Sequence, residues 1–95
     1  MSMAQPTRLR PSLAVRVSVS SDGLILLDVD GGLVLSANAV GARIWQLIEQ
    51  QRTHDEIAQQ LVDDYAVPVE RARLDVNAFV TDLIARRLVS EEQQR

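Results

Sequence analysis

A chain of 95 residues, 46% of them hydrophobic, has the size and apolar content of one small globular domain. It contains no Cys, which excludes disulfides, thiolate metal sites and Cys nucleophiles. Its net charge is −3 and all ten basic residues are Arg, so it lacks the basic surplus that drives non-specific binding to nucleic acid.

Residues 1–12 mix Pro6, Pro11, Arg8 and Arg10 with few apolar positions, and they read as a flexible arm. The domain proper is expected over 13–89. From Leu13 the pattern alternates, with Leu13, Val15, Val17 and Val19 on one face and Ala14, Arg16 and Ser18 on the other. That is the period of a half-buried strand. Ser20-Ser21-Asp22-Gly23 predicts a turn, with Gly23 suited to positive φ. Leu24–Val29 predicts a second strand, whose continuous apolar run suggests cover on both faces or a central place. Asp30-Gly31-Gly32 is a hairpin signal, and Leu33–Leu35, extending toward Ala37, predicts a third strand.

Asn38 has the side chain of a helix N-cap, and Val40, Ile44, Leu47 and Ile48 follow at helical spacing with Trp45 beside them. The first helix is expected over about 39–49. Thr53-His54-Asp55-Glu56 is a capping box that opens a second helix carrying Ile57, Ala58, Leu61 and Tyr65. Pro68 disfavours helix at Val67 and ends it. A third helix starts near Val69 or Glu70, with an apolar stripe of Ala72, Val76, Phe79, Val80, Leu83 and Leu88. Residues 90–95 read as a polar tail. The expected class is α+β: a three-stranded antiparallel sheet followed by three helices, the last two fitting a helix-turn-helix beside a wing. No apolar run is long enough to span a bilayer, and the first residues lack the apolar core of a signal peptide. A cytoplasmic protein with no membrane contact is the expectation.

No catalytic set emerges. His54 is the sole His and reads as a solvated side chain, so a zinc site, which needs several N or S ligands, is not expected. Asp28 and Asp30 are explained by turn chemistry, Asp63 and Asp64 by a solvated helix end, and Gly31-Gly32 lacks the spacing of a phosphate loop. Neither a metal nor a cofactor is predicted. Trp45 fits the core between the first helix and the sheet, with a partner-anchoring surface role as the alternative.

Binding remains. The third strand closes the meander, so one of its edges has no evident partner, and an open edge offers N–H and C=O groups to an extended peptide. On the third helix, Asp75, Asp82 and Arg86 fall together beside Phe79. They form either an acidic lip for a peptide with apolar and basic groups or an ordinary solvated flank.

Several segments in fixed order resemble the PqqD-like proteins, which recognise precursor peptides in pathways that modify ribosomally made peptides. These are Asn38-Ala39-Val40-Gly41-Ala42-Arg43-Ile44-Trp45, Arg52-Thr53 with Glu56-Ile57-Ala58, Tyr65, Asp75-Val76, Phe79-Val80, Leu83 and Leu88-Val89, with Asp22–Asp28 upstream. The resemblance implies a winged helix-turn-helix-like fold and a non-catalytic adaptor. A leader peptide would add as an extra strand to Leu33, Val34 and Leu35, against a third-helix wall holding Asp75, Val76, Phe79, Asp82 and Leu83. The partners implied are the precursor's leader and a modifying enzyme, either a radical SAM enzyme or a leader peptidase with its cyclase. Many relatives carry Gly where this chain has Glu49-Gln50-Gln51, and again where it has Arg87.

The competing reading is a winged-helix DNA-binding regulator. Arg71, Arg73, Arg86 and Arg87 favour it, and Glu70, Asp75 and Asp82 on the same helix oppose phosphate approach. An open edge also admits pairing with a second copy, so a homodimer is a further expectation.

Overall fold

The computed structural model describes residues 7–29, 31–32 and 34–93. In chain order the elements are β1 (Thr7–Pro11), β2 (Val15–Ser20), β3 (Gly23–Asp28), β4 (Val34–Asn38), α1 (Ala39–Glu49), α2 (His54–Tyr65), α3 (Val69–Ala85) and β5 (Val89–Gln93). β2, β3 and β4 form the expected antiparallel meander, in that order, and the three helices follow it. β4 corresponds to the third strand of the sequence reading, but it runs from Val34 to Asn38, and Leu33 lies outside the described residues.

The described parts of the predicted arm and tail, 7–11 and 90–93, are paired. β1 pairs antiparallel with β5, from Thr7 opposite Gln93 to Pro11 opposite Val89. Leu9 is buried in the core, which stabilises this second small sheet. The pairing was hidden because its two halves lie at opposite ends of the chain and each is polar. β1 is held further by Arg8, whose guanidinium donates to the Gln51 carbonyl and stands 3.9 Å from the Glu56 carboxylate.

α1 packs on β3 and β4, and α2 packs on α3. Between these layers lies the core, built on Leu24 and Leu26 of β3, Ile44, Trp45, Leu47 and Ile48 of α1, Ile57 and Leu61 of α2, and Val76, Val80 and Leu83 of α3. Trp45 is therefore a core residue. β3 is central as expected but is covered on one face only: Leu24 and Leu26 are buried, whereas Ile25 and Leu27 face outward and are exposed. Gly23 does not use positive φ. It opposes Asn38 at the end of the β3–β4 ladder, where a Cβ would collide with the Ala37 carbonyl oxygen. Positive φ belongs to Gly32 instead, at 69° in the next turn.

The caps follow the sequence closely. The Asn38 side chain accepts from the Gly41 amide at 3.0 Å and opens α1. At α2, Glu56 accepts from the Thr53 amide and the Thr53 hydroxyl accepts from the Glu56 amide, completing the capping box. The bond from the Thr53 amide is the chief cause that holds the Glu56 carboxyl below its ordinary range. The Gln60 amide and then the Arg43 guanidinium do the same for Asp64. Arg43 reaches Asp64 at 2.8 Å and ties α1 to α2, so Asp64 is not simply solvated. His54, expected in solvent, is half-buried; its Nε2 is buried with no hydrogen-bond partner among the described residues.

α1 and α3 both end in the double hydrogen bond of a Schellman motif. Gln51 and Arg52 donate to Ile48 and Leu47, and Arg87 and Leu88 donate to Ile84 and Leu83. The motif needs a left-handed residue, and here Gln51 (φ 62°) and Arg87 (φ 60°) supply it. These are the two places where relatives were expected to carry Gly. A side chain there is strained, so Gln51→Gly is expected to stabilise the fold by roughly 0.5–1 kcal/mol after the entropy of the unfolded Gly is counted. Thermal unfolding should show a Tm higher by roughly 2–8 °C. An unchanged or lower Tm would mean that the Gln51 side chain contributes more than its backbone strain costs.

Candidate functional site

The β2–β3 connection has two residues, Ser21 and Asp22, so Ser20 and Gly23 form a mutually bonded pair. The Val29 amide donates to the Ala14 carbonyl, consistent with the same alternation at the other end of the ladder. Carried across β3, this parity turns the N–H and C=O groups of Leu35 and Ala37 toward β3. Those of Val34, Ser36 and Asn38 point away from it. Among the described residues no strand pairs with β4 on that side. The edge that looked open in the sequence is open in the structure.

Beside that edge runs a groove of about 610 Å³. Leu35, Ser36, Ala37 and Asn38 line its β4 side, and Arg71, Asp75, Ala78, Phe79 and Asp82 line its α3 side. Val40, Gly41 and Ile44 of α1 contribute to it as well. Gly41 permits the closeness of these walls, since a Cβ there would stand 2.6 Å from the Ala37 Cβ and 3.2 Å from the Phe79 ring. From Arg71 to Asp82 the α3 wall measures about 16 Å, close to the length of a five-residue strand at about 3.3 Å per residue. The groove thus has the length of β4 itself.

Leu35, Asp75, Phe79 and Asp82 are brought together in the groove, as the sequence reading had them. Val34 brings its backbone to the edge. Val76 and Leu83 do not reach the groove; both are buried in the core, because they lie on the side of α3 that faces α1, α2 and the sheet. Leu33 falls outside the described residues. Ser36, Ala37, Asn38, Val40, Gly41, Ile44, Arg71 and Ala78 also line the groove and were not among the expected site residues. The parity of β4 was the available signal for Ser36, and for Asn38 had the strand been carried past Ala37. Nothing in the sequence pattern announced that α1 would share the groove.

The acidic lip is largely neutralised within its own helix. Asp75 is paired with Arg71 at 3.3 Å and Asp82 with Arg86 at 3.0 Å, each one turn apart. The groove therefore presents an apolar floor with two exchangeable ion pairs on its rim. The same pairing occupies two of the four arginines that favoured DNA binding. No group of three or more potential metal ligands exists among the described residues, and no described helix is long and apolar enough to cross a membrane.

Comparison with known proteins agrees with this geometry. Two solved structures share the fold. One is TbiB1 in complex with the TbiA(beta) leader peptide, with 28% identity, a TM-score of 0.79, and coverage of 85% of this chain and 94% of that one. The other is lasso peptide synthetase B1 complexed with the leader peptide, with 26% identity, a TM-score of 0.79, and coverage of 87% and 98%. No curated protein matches the chain. The family model described as coenzyme PQQ synthesis protein D (PqqD) matches residues 23–89, which takes in the β3–β4 ladder, all three helices and both walls of the groove. The chain belongs to the PqqD family.

Proposed function

We propose that this protein is a non-catalytic adaptor that captures the leader of a ribosomal precursor peptide by strand addition to β4. One observation carries the reading. The outward backbone groups of Val34, Ser36 and Asn38 lie along an apolar groove of matching length, in a fold shared with two proteins solved with leader peptides. Backbone bonds to β4 supply affinity without regard to sequence. Alternate guest side chains then enter the floor formed by Leu35, Val40, Ile44 and Phe79, and supply selectivity. The Arg71–Asp75 and Asp82–Arg86 pairs can be exchanged for guest charges of either sign at little cost, since exposed pairs contribute about 0–1 kcal/mol. The captured precursor is handed to a biosynthetic enzyme, a radical SAM protein or a leader peptidase.

Titration calorimetry tests the reading, using the full chain and the synthetic leader of the precursor encoded beside it, with the TbiA(beta) leader as a divergent comparison. A saturable one-site isotherm with Kd of about 1 μM or tighter, near −8 kcal/mol, is expected for the cognate leader. Failure of every neighbouring leader to bind a chain shown to be folded would overturn it.

A further inference from the structure

The three-stranded sheet has a second edge, and its chemistry differs from that of β4. The parity that turns Val34, Ser36 and Asn38 outward on β4 turns the backbone groups of Val17 and Val19 outward on β2. Among the described residues no strand pairs with β2 on that side, because β1 has gone to β5. Natural edges are usually blunted by a charged side chain, Pro or a bulge; β2 has no Pro or bulge, and its one charge, Arg16, lies on the face away from the core, opposite Leu27. Its sequence is VRVSVS, and its ladder to β3 runs without interruption from Val15 to Ser20.

The side chains add a second observation. Val17 and Val19 oppose Leu26 and Leu24, which are buried, so they lie on the core side of the sheet. They are nevertheless 38% and 45% exposed, because α1 packs on β3 and β4 and leaves β2 beyond the helical layer. The same residues that offer unpaired backbone groups thus also offer uncovered apolar side chains.

We propose that β2 pairs antiparallel with β2 of a second copy of this chain, about a two-fold axis at Val17. The strand is self-complementary in that register. Val17 meets its own equivalent, and Val15 meets Val19 of the other copy, so valines cover valines on the core side. Arg16 falls opposite Ser18 on the other face, which keeps like charges apart. β4 is a poorer edge for a second copy, since α3 stands along it and leaves a recess for one strand. The result is a continuous sheet with β4 and its groove free at both ends. The dimer stands on β2 alone and does not depend on what the groove binds.

Sedimentation equilibrium of the full chain over a concentration series tests this. The mass should rise from 10.6 kDa toward twice that value. Val17→Lys should hold it at the monomer mass, since two ammonium groups would meet at the axis. Ile25→Lys, on the outer face of β3 and 51% exposed in the native chain, should dimerise as the parent does. Because the chain has no Cys, Val17→Cys gives an independent readout: mild oxidation should yield a disulfide-linked dimer. A parent chain that stays monomeric at every concentration would overturn the proposal. So would a dimer that survives Val17→Lys, one that Ile25→Lys dissociates, or one that a bound leader dissociates, the last because it would place the contact at β4.

Discussion

Val34→Pro is expected to weaken leader binding sharply while leaving the domain folded. The two effects separate because of strand parity. The Val34 N–H points away from β3, so the meander loses no ladder bond when Pro removes it, and Pro is tolerated near the start of an edge strand. A guest strand loses that donor and also meets the pyrrolidine ring. One net hydrogen bond of about 0.5–1.5 kcal/mol is lost together with the distorted edge, so a weakening of at least about tenfold is expected. Ser36→Pro should behave alike, since Ser36 shares the outward parity. Leu35→Pro should do the reverse and destabilise the fold, because its N–H points into the β3–β4 ladder. Titration calorimetry with the leader, paired with thermal melts, reads both properties. Undiminished binding by folded Val34→Pro protein would refute strand addition at β4.

Trp45→Ala should cost about 3–5 kcal/mol, a large share of the roughly 5–15 kcal/mol that a domain of this class possesses. Trp45 is 0% exposed, and it lies in the core cluster with residues from β3, all three helices and the β1–β5 sheet. Truncating it leaves a cavity that no single element can close. Trp45→Phe should cost much less than its lost volume suggests. The indole Nε1 is buried with no hydrogen-bond partner among the described residues, and an unsatisfied donor carries a penalty of about 1–3 kcal/mol that disappears with the indole. Urea unfolding of both variants gives the comparison. A Trp45→Ala loss below about 1 kcal/mol would show that the ring is not held in a dry, close-packed core.

Local signals in this chain proved legible wherever the physics is local. Asn38 and the Thr53–Glu56 box opened their helices as expected, because a cap is decided within four residues. Period-two and period-3.6 spacing located the meander and the three helices. Legibility ended where a partner lay far along the chain. Thr7–Pro11 looks like an arm and the residues from Ser90 to Gln93 like a tail until they meet, and Leu9 enters a core assembled from residues on every side of it. The continuous run Leu24–Val29 suggested two covered faces or a central place; β3 is central with one face covered, because the number of helical layers that reach a strand is not written in that strand.

The groove divides in the same way. Sequence alone determined that the chain ends its meander on a strand with a spare edge and that an amphipathic helix carries Phe79 between Asp75 and Asp82. Tertiary structure decided which side of that helix the core would consume. It took Val76 and Leu83 inward, left Asp75, Phe79 and Asp82 at the groove, and brought Gly41 and Ile44 of α1 in beside them. It also paired the two acids with Arg71 and Arg86, which removed most of the lip's charge. Backbone parity and capping follow from neighbours in sequence. The rotation of α3 about its axis follows from the packing of α1, α2 and the sheet together, and no local pattern encodes that sum.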